Sequence, residues 1–215
     1  MIDQLMFVIA FQACSTLAEK QVGELINMAS LEIGKSLHAD ARRSGFEPGA
    51  FMFTSLVHMY SKCYAIAEAE HVFSAALHQH NNVAWNVMIS SCLEINQGLD
   101  ALQLFHHMEQ QGVTPSKVTF IHGLDACGSE VVLGKGIELH CRIMGSDVES
   151  DMMVQTALIN MYGKCGGLVY AKKIFSKMTC LDEVVWSAMI SAYAENAHVR
   201  GAIQLFEQML QEGML

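Results

Sequence analysis

The chain has little that an enzyme, a membrane protein or a disulfide-stapled domain would need. Only two of its 215 residues are proline, Pro48 and Pro115, so long stretches run free of helix breakers. Charged residues make up 16% against 52% hydrophobic, which argues against a long disordered tail. No uninterrupted apolar run reaches the ~18 residues of a membrane span. The seven cysteines (14, 63, 92, 127, 141, 165 and 180) are odd in number, and no two form a C-x-x-C pair. That spacing suits neither a disulfide framework nor a zinc site and points to structural thiols in a reducing compartment. The ten histidines do not supply a metal site either, since His78 with His80 and His106 with His107 read as loop or helix surface. There is no phosphate-gripping glycine loop and no G-x-S-x-G elbow. No catalysis, metal, cofactor or small-molecule substrate is expected. Met1-Ile2-Asp3-Gln4 opens no basic, serine-rich stretch, so neither a transit peptide nor a secretory signal is visible. The net charge of −9 leaves no cationic excess, an obstacle for any nucleic-acid partner.

What the chain does have is repetition. Leu56-Val57-His58-Met59-Tyr60-Ser61-Lys62-Cys63 returns 102 residues later as Leu158-Ile159-Asn160-Met161-Tyr162-Gly163-Lys164-Cys165. Trp85, Met88, Ile89 and Ser90 return as Trp186, Met189, Ile190 and Ser191, and Leu104-Phe105 as Leu205-Phe206. Phe7 to Cys14 matches Phe120 to Cys127, and Gly34 to His38 matches Gly136 to His140. The first copy of this last pair holds 11 extra residues, within about 19–30, read as a lengthened loop or helix end. A fixed internal period is the mark of stacked repeats.

Within each repeat the apolar residues fall at helical spacing. Phe53, Leu56, Val57 and Tyr60 mark one face, and Ala69, Val72, Phe73 and Ala76 mark a second. Trp85, Met88, Ile89 and Cys92 form the next stripe, answered by Ala101, Leu104, Phe105 and Met108. Gly112 followed by Pro115 closes a helix, as Gly45 and Pro48 do. The spacing predicts one all-α array over 1–215, a right-handed α-solenoid of tandem helical hairpins. Its units are 4–49 (long, with the insertion), 50–81 (short), 82–116 (ordinary), 117–151 (long), 152–182 (short) and 183–215 (ordinary). The last stops two residues short of its earlier copy's 35.

These residues carry a recognisable pattern. The chain resembles the plant pentatricopeptide repeat proteins, in particular the subclass that alternates long, short and 35-residue motifs. The match rests on Leu56–Cys63 and Ala157–Cys165 for the short motif, and on Val83–Ile89 and Val184–Ile190 for the ordinary one. For the long motif it rests on Ala126-Cys127 with Gly136–His140. The deaminase-like domain that ends some members needs H-x-E together with P-C-x-x-C; the sequence has His107-Met108-Glu109 in a helical stripe but no P-C-x-x-C.

The resemblance implies a modular reader of single-stranded RNA, one motif per base, with two polar side chains at the base edge. The family's selecting positions, the fifth and last of each motif, map to Thr54 with Asn81, Asn86 with Ser116, Ile121 with Asp151, and Thr156 with Asp182. Ser187 is left without a partner. In the first motif they fall on Val8 and Gly49, neither able to read a base. The family's combinations then imply a core of A-C-N-G. The family's phosphate-facing lysine, thirteenth in the motif, is held by Lys62 and Lys164. Thr16, Glu94, Ser129 and Glu195 stand there in the other motifs. The implied role is an adaptor in RNA processing or C-to-U editing in a mitochondrion or chloroplast, with editing or processing factors as partners and catalysis supplied in trans. Polar residues near a helix start are also natural caps for unpaired backbone N–H groups. The other reading is a truncated scaffold that binds protein and no RNA, which the acidic balance favours.

Overall fold

The apolar stripes fold as the helices they foreshadow. A computed structural model describes residues 4–20, 24–45, 50–75 and 82–213. Among the described residues there are twelve helices and no strand. They pair as α1 (Gln4–Lys20) with α2 (Glu24–Arg43), α3 (Ala50–Lys62) with α4 (Ile66–Ala75), and α5 (Asn82–Glu94) with α6 (Gly98–Gln110). Then come α7 (Lys117–Ser129) with α8 (Leu133–Ile143), α9 (Met152–Lys164) with α10 (Leu168–Phe175), and α11 (Glu183–Glu195) with α12 (Val199–Gln211). The eleven-residue insertion is absorbed as helix. α1 runs 17 residues against 13 in α7, and α2 runs 20 against 11 in α8.

The turns explain where each helix stops. Gly45, Gly112, Gly145 and Gly213 each follow a second helix with φ of 73–79°, the left-handed geometry that glycine adopts without strain. The turn inside a hairpin uses the same geometry with less suitable residues: Tyr64, Asn96, Val131 and Ala197 have φ of 55–59°. Among the described residues only Gly166 supplies a glycine at that place, with φ 77°.

The chain divides into two compact units, 1–97 with 104–114, and 98–103 with 115–215. In the first, α1, α3 and α5 pack side by side, and α2 and α4 lie against their own hairpin partners. Its core is Phe11, Phe53, Leu56, Met59, Trp85 and Met88, all almost wholly buried. Phe73 links two hairpins, its ring 6.0 Å from Phe53 and 4.7 Å edge-on from Trp85. Each such ring buries enough apolar surface to contribute about 1.5–3 kcal/mol.

The second unit repeats the plan with α7, α9 and α11 as neighbouring first helices. Leu124, Ile159, Tyr162, Trp186 and Met189 fill its centre, and Phe175 meets Trp186 edge-on at 5.0 Å. The long–short junction uses one device in both units. His38 Nδ1 pairs with the Tyr60 hydroxyl at 2.9 Å, and His140 Nδ1 with the Tyr162 hydroxyl at 2.7 Å. Burial holds both imidazoles below their usual pKa and pushes both phenols up to about 12, which keeps all four groups neutral. The repeated thiols are structural too. Burial lifts Cys63 to about 11 and Cys127 to about 12.

Candidate nucleic-acid interface

The fifth residue of each motif sits one turn into a first helix, and the last residue sits just before the next first helix. Of the fifth residues, Thr54, Asn86 and Ile121 are half-buried and Ser187 is exposed. Thr156 departs from the expectation of an open polar side chain: it is 8% exposed, and its Oγ1 donates to the Met152 carbonyl at 2.7 Å. The hydroxyl proton is therefore committed, and the oxygen faces any ligand as an acceptor. Val8, which the sequence reading set aside as unable to read a base, is buried.

The last residues are helix caps. Ser116 Oγ accepts from Thr119 N–H at 3.3 Å in a capping box that begins α7. Asp151 Oδ1 accepts from Met153 N–H at 2.9 Å and Val154 N–H at 3.3 Å, while Oδ2 accepts from Lys117 Nζ at 3.1 Å. Burial pushes the Asp151 carboxyl up, but the Lys117 bond and the two backbone donors outweigh it and hold the pKa below the usual range. Both Asp151 oxygens are occupied, and its motif partner Ile121 is apolar. Asp182 Oδ1 accepts from Val185 N–H at 2.9 Å, and its other oxygen has no partner among the described residues. Asn81 and Gly49 lie outside the described residues. Asn86 belongs to the first unit and Ser116 to the second.

One pair does meet. Thr156 and Asp182 line a single cavity of about 350 Å³ in the second unit, with Ile121, Asp125 and Asn160 around them. Met153 and Val184 form part of its rim and are 60% and 64% exposed. These two stand second in their motifs, three residues before the selecting position, so each shares a helix face with it. Leu5, Phe51, Val83 and Val118 stand second in the other motifs and are exposed as well. Reading by buried stripe missed them. The available signal was an apolar residue recurring out of phase with that stripe in every motif.

The lysines differ. Lys62 Nζ donates to Glu94 Oε1 at 2.8 Å, so the lysine of one motif is held by the acid at the same position of the next. Lys164 is exposed and has no carboxylate at ion-pair distance among the described residues. His58, next to the selecting turn of α3, pairs with Ser15 Oγ at 3.2 Å.

Hairpins of near-constant length, in register and packed first helix on first helix, define a helical-repeat protein. Comparison with known sequences names the repeat. A sequence pattern described as PPR repeat family matches residues 80–128, and one described as PPR repeat matches 156–182 and 184–214. A putative pentatricopeptide repeat-containing protein of Arabidopsis thaliana is 34% identical over 181 residues, covering 84% of this chain and 25% of that protein. A mitochondrial pentatricopeptide repeat-containing protein of the same plant is 34% identical over 204 residues, covering 86% of this chain and 23% of the relative. The chloroplastic relative CRR2 from Arabidopsis thaliana is 34% identical over 182 residues, 84% of this chain and 28% of that protein. In fold, the chain is similar to the crystal structure of the maize pentatricopeptide repeat protein PPR10, with a TM-score of 0.71 at 18% identity. That match covers 100% of this chain and 30% of PPR10. It is similar also to PPR10 in complex with an 18-nt psaJ RNA element, with a TM-score of 0.72 at 17% identity over 94% of this chain and 30% of PPR10.

The chain belongs to the pentatricopeptide repeat family, and its fold is the all-α solenoid of tandem helical hairpins. It spans about a quarter of the length of the curated relatives it matches.

Proposed function

We propose that the chain binds single-stranded RNA sequence-specifically and acts as an adaptor rather than a catalyst. The observation that carries this reading is the cavity shared by Thr156 and Asp182, rimmed by exposed Met153 and Val184. Apolar side chains with open faces give a base a surface to pack on, worth about 1–3 kcal/mol per stacked base for aromatic platforms and less for aliphatic ones. Polar atoms on the adjoining turn then meet its edge. A Thr156 oxygen whose proton is spent and a carboxylate at Asp182 are both acceptors, and guanine presents two donor groups, N1–H and N2–H2, on its Watson–Crick edge. Thr54, with Asn81 as its motif partner, suits adenine, and Asn86 with Ser116 suits cytosine, which makes the preferred core A-C-N-G. Lys164 supplies phosphate contact, and Lys62 does so once released from Glu94.

The alternation of long, short and ordinary motifs supports membership of the subclass with that order. Its relatives carry chloroplastic and mitochondrial names. RNA processing or C-to-U editing in an organelle, with the catalyst in trans, fits those relatives. The Lys62–Glu94 pair and the net charge of −9 favour a second reading, a protein-binding scaffold. Fluorescence anisotropy at low salt decides between them, with folding checked by circular dichroism. The reader retains an A-C-N-G oligomer more tightly than its scramble. Equal or absent binding by the folded chain leaves the scaffold.

A further inference from the structure

The cavity that holds Thr156 and Asp182 contains two more polar side chains that neither cap a helix nor fill the core. Asn160 lies one turn beyond Thr156 on α9, on the same face, half-buried. Its amide makes no hydrogen bond to another described residue. Asp125 reaches the same cavity from α7. Its carboxyl has no hydrogen-bond partner among the described residues either, and the residue is exposed. Asn160 is half-buried and Asp125 exposed, so a ligand in this base-sized cavity meets both without breaking a bond within the protein.

The upstream copy shows that these neighbours vary while the selecting residue does not. Thr54 and Thr156 are identical and equivalent in register. The residues matching Asn160 and Asp125 are there His58 and Gln12, and His58 is already bonded to Ser15. Two motifs with the same fifth residue therefore offer different polar neighbours.

We infer that Asn160, with Asp125 in the same cavity, is a further specificity-determining residue, reading the same base as Thr156 and Asp182. This rests on the RNA-reading function proposed above. These two side chains add a carboxylate and an amide oxygen to the two acceptors already present. Guanine offers three donor hydrogens on this edge, N1–H and two on N2, so a third acceptor takes the amino hydrogen that Thr156 and Asp182 leave over.

The test measures binding of the 215-residue chain to labelled A-C-N-G-containing oligomers in which the last core base is each of the four in turn. The unaltered chain prefers guanine there. Asn160→Ala lowers the preference about three- to tenfold, the effect of one hydrogen bond, and leaves the preference at the first core base unchanged. Asp125→Asn, which keeps shape and fold, also lowers it, because half its acceptor capacity becomes a donor. A folded Asn160→Ala and a folded Asp125→Asn that bind all four oligomers with unaltered ratios overturn the inference while the function stands. An unaltered chain that shows no preference at any core position overturns both.

Discussion

Asp182 shows how one side chain serves two ends. Its Oδ1 caps α11 by accepting from Val185 N–H, and its Oδ2 has no partner among the described residues, which in the proposed reading leaves it for a base. Asparagine caps a helix about as well as aspartate, so Asp182→Asn keeps the fold and changes only what the second atom offers. An amide nitrogen there donates to adenine N1, where the carboxylate accepted from guanine N1–H. The expected result is a preference moved from guanine to adenine at the last core base, with a melting temperature close to the parent's. Competition binding with two oligomers differing at that base measures it, and an unmoved preference counts against the pairing of Asp182 with Thr156. Much of this residue-level picture was legible in the sequence, because the repeat register put Thr156 and Asp182 in one motif. The closure of Thr156 was not. Whether a threonine one turn into a helix looks outward or bonds back to the carbonyl four residues earlier depends on what packs beside it.

At the scale of single elements, the hairpin turns at Tyr64, Asn96, Val131 and Ala197 are the strained part of the design. Val131 holds φ at 55° although it is β-branched, and it is 61% exposed, so it loses almost no packing if replaced. Left-handed geometry costs a residue with a Cβ about 1–2 kcal/mol. Glycine forgoes that cost but loses about 0.5–1 kcal/mol through the entropy of the unfolded chain. Val131→Gly is therefore expected to stabilise by up to about 1 kcal/mol, read as a higher urea midpoint at constant m-value. A lowered midpoint contradicts it. Gly166, at the same place in the next hairpin, already makes this choice. The helices themselves were plain from the 3.6-residue period of Trp85, Met88, Ile89 and Cys92. The eleven-residue insertion was less so, since period alone does not tell an added loop from the longer α1 and α2 that formed.

For the whole molecule the deciding quantity is charge. A net −9 with Lys62 held by Glu94 leaves few cations to displace counterions. With Lys164 as the available contact, the slope of log affinity against log salt is expected to be shallow, about 0.7. Glu94→Gln removes this ion pair and one acidic charge beside Lys62, so affinity is expected to rise and the slope to steepen by up to about 0.7. Anisotropy titrations across a salt series check this, and a slope unchanged in the variant removes Lys62 from the interface. The order of six hairpins, their lengths and their family follow from sequence alone, because periodic burial and turn glycines are local and repeat in register. Only tertiary structure decided that Lys62 reaches across to Glu94, that the second residues stay uncovered, and that Asn160 and Asp125 line one cavity with Thr156. Those outcomes depend on how neighbouring first helices stack, and no single helix's spacing contains that distance.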